Sequence, residues 1–353
     1  MSRSEFCGST VLVTGGAGFI GSNLCHRLLD DGPERIVVVD NLLSADMVNV
    51  PDHPAIDFRL GSIADDRVLQ QLPQQFDWVF HLATYHGNQS SMHDPLADHA
   101  NNTLTTLKLF DHLATRQAPR KIIYASAGCT VAQKTFDAAE ATTEDDPVSL
   151  YLDSPYQISK IVGELYGNYY FTKHKLPFVK ARFQNVYGPR EILGAGQWRG
   201  TPATVWRNVI PTFIWKALCN TALPVENGGI ATRDFIYVGD LVEGLIACAH
   251  KALPGSVYNL ATGVETSIGE LAHLINSAAG APAPVDLRPA RTWDRSGKRY
   301  GDPTKARTEL GFTAATALPE GLRQTVEWTR ANRSVIERCI TQHRHFLDRK
   351  AGL

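Results

Sequence analysis

The chain has 353 residues, 43% hydrophobic and 20% charged, with 28 glycines and 19 prolines spread along it, values that exclude a disordered chain, a small disulfide scaffold and a coiled coil. Its 35 basic and 36 acidic side chains leave a formal net charge of −1, with no block of like charge. Nucleic acid and a membrane surface are therefore not expected as partners. No run approaches the roughly 18 apolar residues of a membrane span, and the start, MSRSEFCGSTVLVTGG, leads directly into a strand pattern without a leader-like apolar region. A soluble, cytoplasmic protein is expected. The six cysteines (Cys7, Cys25, Cys129, Cys219, Cys248, Cys339) form no CxxC pair, so they read as reduced, packed thiols, and no metal site is expected.

From residue 10 to about 186, short apolar runs alternate with stretches of helical spacing, which predicts an α/β fold with a doubly wound, Rossmann-like parallel sheet. The strands are predicted at Val11-Leu12-Val13, 35–39, Ile56-Asp57-Phe58, Trp78-Val79-Phe80, 121–124 and 178–182, and the helices at 18–30, 65–72, 99–116 and 156–173. Strands this short and this apolar belong to a sheet covered on both faces. After Tyr187-Gly188-Pro189 the pattern changes to a loop at 190–207 rich in Gly, Trp and Arg. The expected organisation is a dinucleotide-binding domain over 1–187, with a return segment near 231–262. A smaller C-terminal α/β substrate-binding domain then takes 188–230 and 263–353. A loop is expected at 278–284 and one long helix at about 320–345.

Between the first strand and the first helix stands Thr14-Gly15-Gly16-Ala17-Gly18-Phe19-Ile20-Gly21. Glycines there allow a tight turn and close approach of backbone N–H groups to a pyrophosphate seated on the helix N-terminus. Asp40, at the end of the second strand, is placed to accept hydrogen bonds from an adenosine ribose and would repel a 2′-phosphate, which favours NAD over NADP. Further on, Tyr156-Gln157-Ile158-Ser159-Lys160 puts a phenol and an ammonium on one helix face. A phenol with pKa near 10 is a poor base at neutral pH, and a neighbouring cation favours the phenolate.

The spacing Gly15, Gly18, Gly21 resembles the extended short-chain dehydrogenase/reductase family, which includes nucleotide-sugar epimerases and dehydratases, and the resemblance runs over essentially the whole chain. His81-Leu82-Ala83-Thr84 is similar to its HLAA segment beside the nicotinamide, Gly61-Ser62-Ile63 to its adenine-contacting GDI, and 102–106 to its NxxGT helix start. The resemblance implies that NAD is held by Gly15, Gly18, Phe19, Ile20, Asp40, Asn41, Ser62, Ile63, Leu82, Ala83, Thr84, Asn102, Tyr156, Lys160 and Phe183. It makes Tyr156 the general base and acid, with Lys160 tuning that phenol and bonding the nicotinamide ribose.

The family's catalytic Ser or Thr lies in a segment resembling SSSxxVYG. Here Tyr124-Ala125-Ser126-Ala127-Gly128-Cys129-Thr130-Val131-Ala132 puts Ala127 or Gly128, depending on the alignment, at that position. Ser126 or Thr130, a water or the substrate remains to supply the hydrogen bond; Ser126, ending a strand aimed at the cofactor, is the favoured candidate. Cys129 reads as a packed thiol. The acid pair of family 4,6-dehydratases and the Glu of family decarboxylases are both missing from this loop.

Arg182-Phe183-Gln184-Asn185-Val186-Tyr187-Gly188-Pro189 is similar to RxxNVYGP, which makes Asn185 a contact of the sugar nucleotide's phosphate region. Arg233 in RDFIYVGD and Arg291 in Arg291-Thr292-Trp293-Asp294 match diphosphate-binding arginines, Asp294 a ribose contact, and Thr130 is a further substrate candidate; Asp240 reads as a helix N-cap. Arg190, Arg199 and Arg207, with Trp198 and Trp206, offer a carboxylate-binding arginine. His86, after the nicotinamide segment, reads as a solvated polar residue. The expected activity is C4 epimerisation of a UDP-hexose or UDP-hexuronate, UDP-glucuronate favoured, through a transient 4-keto sugar with retained NAD. The alternatives are a dehydratase, decarboxylase or keto-sugar reductase of the same family and a non-catalytic binding protein. The partner calls are a small nucleotide-sugar and, as the family expectation, a homodimer formed through the apolar faces of the helix at Tyr156 and of the last helix.

Overall fold

Short β-branched runs without polar alternation need cover on both faces. In the computed structural model, which describes residues 4–128, 135–280, 282–290 and 297–351, they receive it. Strands β1 (Thr10–Thr14), β2 (Arg35–Asp40), β3 (Ile56–Leu60), β4 (Trp78–His81), β5 (Lys121–Ala127), β6 (Phe178–Phe183) and, later in the chain, β10 (Val257–Leu260) form one sheet in the order β10-β6-β5-β4-β1-β2-β3. Every pairing in it is parallel. Alternation along β1 decides the two layers. Val11 and Val13 pack with Leu24 and Leu28 of helix α1 (Phe19–Leu29) and with Leu241 and Leu245 of α6 (Val238–Lys251). Leu12 faces Leu109, Phe110 and Leu113 of α3 (Leu104–Ala114) and Tyr170 of α4 (Pro155–His174). Helix α2 (Asp66–Gln71) links β3 to β4.

A further apolar cluster joins Phe213 and Ile214 of α5 (Val209–Leu218), Val225 of β8 (Leu223–Glu226), Leu271 and Ile275 of α7 (Ile268–Ala279), and Leu322 and Val326 of α8 (Leu318–Ala331). Two parallel pairs serve this part: β8 with β11 (Val285–Arg288), and β7 (Asn185–Tyr187) with β9 (Phe235–Tyr237). The expected strands and helices are present, and the return segment enters the main sheet as the edge strand β10, hydrogen-bonded to β6.

Several expectations at the C-terminal side need correction. The last helix is three pieces, α8, α9 (Arg333–Thr341) and α10 (Arg344–Ala351), broken at Asn332 and again at Gln342 and His343, and its apolar residues Ile336 and Cys339 are buried inside. Among the described residues none of its large apolar side chains stands exposed. By contrast, Ile158, Leu165 and Tyr169 of α4 stand exposed. Helix α7 runs into the expected loop at 278–284 and stops at Gly280 in the left-handed conformation (φ 62°). Asp240 lies inside the first turn of α6, after the capping position Tyr237, and accepts the backbone N–H of Thr316 at 2.8 Å. Among the described residues no helix is long and apolar enough to cross a membrane and no metal-binding cluster is present. Of the cysteines described, all are free thiols, Cys25, Cys248 and Cys339 buried.

Candidate active site

Because β4 and β2 leave opposite sides of β1, a crevice opens at the C-terminal ends of the strands, where a doubly wound sheet binds its ligand. A cavity of about 820 Å³ lies there. The turn after β1 is shaped by close approach: a side-chain carbon at Gly15 (φ 74°) would stand 2.7 Å from the Ala83 nitrogen, and one at Gly21 would overlap the Gly15 carbonyl. No side chain caps α1, so the N-terminal end of the helix faces the crevice without a side-chain acceptor. The Asp40 carboxylate accepts the N–H groups of Ala17 (3.0 Å) and Leu42 (2.8 Å); burial raises its pKa and these bonds pull it back. Gly15, Gly18, Phe19, Ile20, Asp40, Asn41, Ser62, Ile63, Leu82, Ala83, Thr84 and Phe183 all line the cavity, as do Tyr156 and Lys160.

Asn102 does not. Its carboxamide is used up inside the protein: Oδ1 accepts Thr84 Oγ1–H (3.1 Å) and the Tyr85 N–H (2.6 Å), and Nδ2 donates to Asp98 (2.8 Å) and Ser159 (3.1 Å). It ties the segment after β4 to α4 between Tyr156 and Lys160, which corrects the expected cofactor contact. The wall residue is Asn101, bonded by the Asn41 carboxamide at 3.2 Å, with Thr105 beside it. Nearby, His81 is buried with both ring nitrogens bonded, Nδ1 to Thr14 Oγ1 (2.7 Å) and Nε2 to Thr106 Oγ1 (2.9 Å). The Thr106 hydroxyl donates to the Asn102 carbonyl, so it accepts from Nε2–H; burial pushes the imidazole down to about 3 and keeps it neutral.

Ser154 caps α4 and Pro155 occupies its first position, which fixes where Tyr156 and Lys160 enter the crevice. Lys160 is buried; its ammonium donates to the Ala125 carbonyl of β5 at 2.9 Å and stands 5.8 Å from the Tyr156 ring centre. His86, half-buried rather than solvated, packs edge-on to Tyr156 at 5.9 Å, and burial with three nearby cations pushes its imidazole down to about 3. Ser126 reaches the cavity wall, but its hydroxyl donates to the buried Glu164 carboxylate at 2.5 Å. Arg182 holds that carboxylate through two bonds of 2.9 Å. The hydroxyl favoured from sequence is thus committed to an ion pair behind the strand.

On the other wall, Asn185, Arg190 and Arg233 line the cavity. Arg190 lies against α1, donating to Asn23 at 3.3 Å, and Arg233 donates to the carbonyls of Thr232 and Gly297 at 2.6 Å. Arg199 is a correction: it lies behind the wall, 4% exposed, with Nη1 on the His86 carbonyl (2.8 Å) and with Nε and Nη2 buried without hydrogen-bond partners among the described residues. Burial pushes its pKa down to about 9. Arg207, unlike Arg199, does line the cavity, held by the Ser44 and Ala195 carbonyls. Sequence reasoning also missed Gln184, Glu191, Glu226, Arg288 and Arg299, which line the cavity too. Thr130, Cys129, Arg291 and Asp294 lie outside the described residues.

Glu191 is buried beside Arg207, accepts from Asn208, and has its carboxyl pushed up from 4.5 to about 7, chiefly by burial. The native state therefore keeps this proton over a range in which the unfolded chain has lost it. Stability from this group is full below about pH 4.5 and falls as pH rises toward 7, by up to about 3 kcal/mol. Glu191→Gln should flatten that slope; denaturant titrations of both proteins between pH 5 and about 7.5 check it.

The model of the NAD dependent epimerase/dehydratase family matches residues 11–261. The chain belongs to this family. It is 34% identical over 323 residues to the UDP-glucose 4-epimerase of Mycolicibacterium smegmatis, covering 90% of this chain and 98% of that one. It is 30% identical to a dTDP-glucose 4,6-dehydratase of Streptomyces antibioticus, covering 92% and 93%. The crystal structure of the Bordetella bronchiseptica enzyme WbmF in complex with NAD+ and UDP shares 55% identity and a TM-score of 0.88, over 98% of this chain and 99% of that one. The protein is thus an NAD-dependent enzyme, and its residues fit the dinucleotide. The turn has no room for a side-chain carbon at Gly15 or Gly21, α1 presents an uncapped N-terminus, and Asp40 ends β2 at the crevice.

Proposed function

We propose that this family member is a nucleotide-sugar C4 epimerase. Tyr156 takes the proton of the sugar's C4 hydroxyl and returns it after the 4-keto sugar has turned over, and Lys160, anchored on Ala125, holds positive charge beside the phenol. NAD, when bound, takes the hydrogen and electron pair from C4 and gives them back to the opposite face, so none need be added. The observation that carries this reading is the end of β5: from Ala125 to Phe136 the chain contains no Asp or Glu. Elimination of water needs a carbon base and an acid for the leaving hydroxyl, and neither is available from this segment.

The substrate we propose is a UDP-hexuronate. Arg207 stands in the wall and Arg199 behind it, two guanidinium groups with a single buried carboxylate, Glu191, beside them, so a sugar carboxylate would meet surplus positive charge. Purified protein without added cofactor should convert UDP-glucuronate to an isomer of unchanged mass, and Arg207→Ala should raise KM for the uronate by about tenfold or more, on the scale of one lost charge-assisted bond. Turnover of UDP-glucose alone would remove the uronate assignment, and loss of water or carbon dioxide would remove the epimerase.

The proposal extends to the division of labour: 1–187 with the return segment for the dinucleotide, 188–230 and 263–353 for the sugar nucleotide. It also takes the enzyme as a cytoplasmic homodimer pairing through α4. The exposed Ile158, Leu165 and Tyr169 lie on one face of that helix, and an apolar face of this kind is supported by burial against a second copy.

A further inference from the structure

The two positions at the end of β5 where the family's catalytic hydroxyl is expected, Ala127 and Gly128, carry none, and the fold puts another side chain beside them. Strands β5 and β6 are parallel, with Ala127 opposite Phe183, so the next residues, Gly128 and Gln184, emerge side by side at the mouth of the crevice. A side-chain carbon built on Gly128 would overlap Gln184 Nε2 and stand 2.7 Å from Cδ and 2.9 Å from Oε1. On the opposite side, one built on Gly301 would stand 2.6 Å from the same Nε2. The carboxamide is thus clamped between two backbones that have no side chains of their own. It lines the same cavity as Tyr156, Lys160 and Ala127, and makes no hydrogen bond to any described residue. Ser126, the nearest hydroxyl on β5 described, is spent on Glu164.

We infer that Gln184 is a catalytic residue, its Nε2–H donating to the sugar oxygen that Tyr156 deprotonates. The inference rests on the oxidation–reduction reading above. In the forward step the O–H bond breaks with its proton passing to the Tyr156 phenolate. The C–H bond breaks, its hydrogen and electron pair together being what the nicotinamide ring would accept when bound, and a C=O bond forms whose oxygen accepts from Gln184. The return step reverses each transfer. Carbonyl oxygen is the stronger acceptor as charge develops on it, so a fixed donor lowers the barrier more than it improves binding. Gly128 and Gln184 act as a pair: a side chain at 128 and a carboxamide in this position exclude one another.

The test measures kcat, KM and bound NAD for wild type, Gln184→Ala, Gln184→Glu and the double variant Gly128→Ser/Gln184→Ala. The expected result is a kcat lowered about 10²-fold in both single variants, the loss seen when one such donor is removed. KM should stay within about threefold and NAD content unchanged. The double variant, with a hydroxyl in the vacated space, should recover about tenfold or more. The near-isosteric Gln184→Glu keeps the packing between Gly128 and Gly301, so wild-type kcat in that variant overturns the assignment. A loss that the double variant does not recover marks Gln184 as a spacer and overturns it too. Wild-type protein inert toward nucleotide-sugars removes the epimerase reading itself, and this inference with it.

Discussion

Replacing Tyr156 by phenylalanine should lower kcat about 10³- to 10⁴-fold, the upper range for loss of a positioned general base and acid. One oxygen is removed from a residue held by the Ser154 cap, Pro155 and the edge of the His86 ring, and none of these contacts needs the hydroxyl. Lys160 keeps its bond to Ala125. Asp40 keeps its bonds to the Ala17 and Leu42 N–H groups, and the Gly15 to Gly21 turn is built from its own backbone contacts. Bound NAD, measured after release from the purified variant, should therefore match wild type while turnover vanishes. Retained activity would transfer the proton to another group.

The largest effect on stability is expected at Arg182. Its guanidinium makes two bonds of 2.9 Å to Glu164 and a third, 3.0 Å, to the Glu144 carbonyl, and both members of the pair are about 95% buried. Arg182→Met leaves the Glu164 carboxylate in the core with the Ser126 hydroxyl as its one remaining hydrogen bond among the described residues, and should cost about 3–5 kcal/mol, the usual penalty for stranding one member of a buried pair. Arg182→Met/Glu164→Leu removes both charges and should cost markedly less than Arg182→Met alone. Urea unfolding of the two variants gives the comparison.

Much of the framework was legible in the sequence because its signals are local. The strands after residue 10 are short, apolar and β-branched. The turn at Gly15 needs a positive φ and contact with Ala83, which only glycine meets, and Tyr156 and Lys160 are four apart on one helix. What failed depended on contacts between distant segments or on irregular backbone. Ser126 is committed by Glu164, 38 positions along, and the space beside Gly128 is taken by Gln184 from the next strand of the sheet. Asn102 misled because residues His99–Thr103 form a widened π turn, which shifts the side chains that follow relative to an α-helix and leaves Asn101 at the wall. Arg199 and Arg207 lie in a loop with no period, so nothing in their spacing says which faces the crevice. The last helix breaks at Asn332, which suits a helix end, but a single Asn inside an otherwise helical pattern is a weaker stop than proline or glycine.

The central claim is that Tyr156 and the nicotinamide act on one carbinol, moving a proton from oxygen while no proton leaves carbon. Conversion of UDP-glucuronate in deuterium oxide, followed by mass spectrometry and NMR of the re-isolated sugar nucleotide, tests it most directly. The account predicts an isomer inverted at C4 with no deuterium on any carbon, because the hydrogen removed from C4 is returned to it. Deuterium at C3 or C5, or loss of a water molecule, would show a proton taken from carbon and would contradict it.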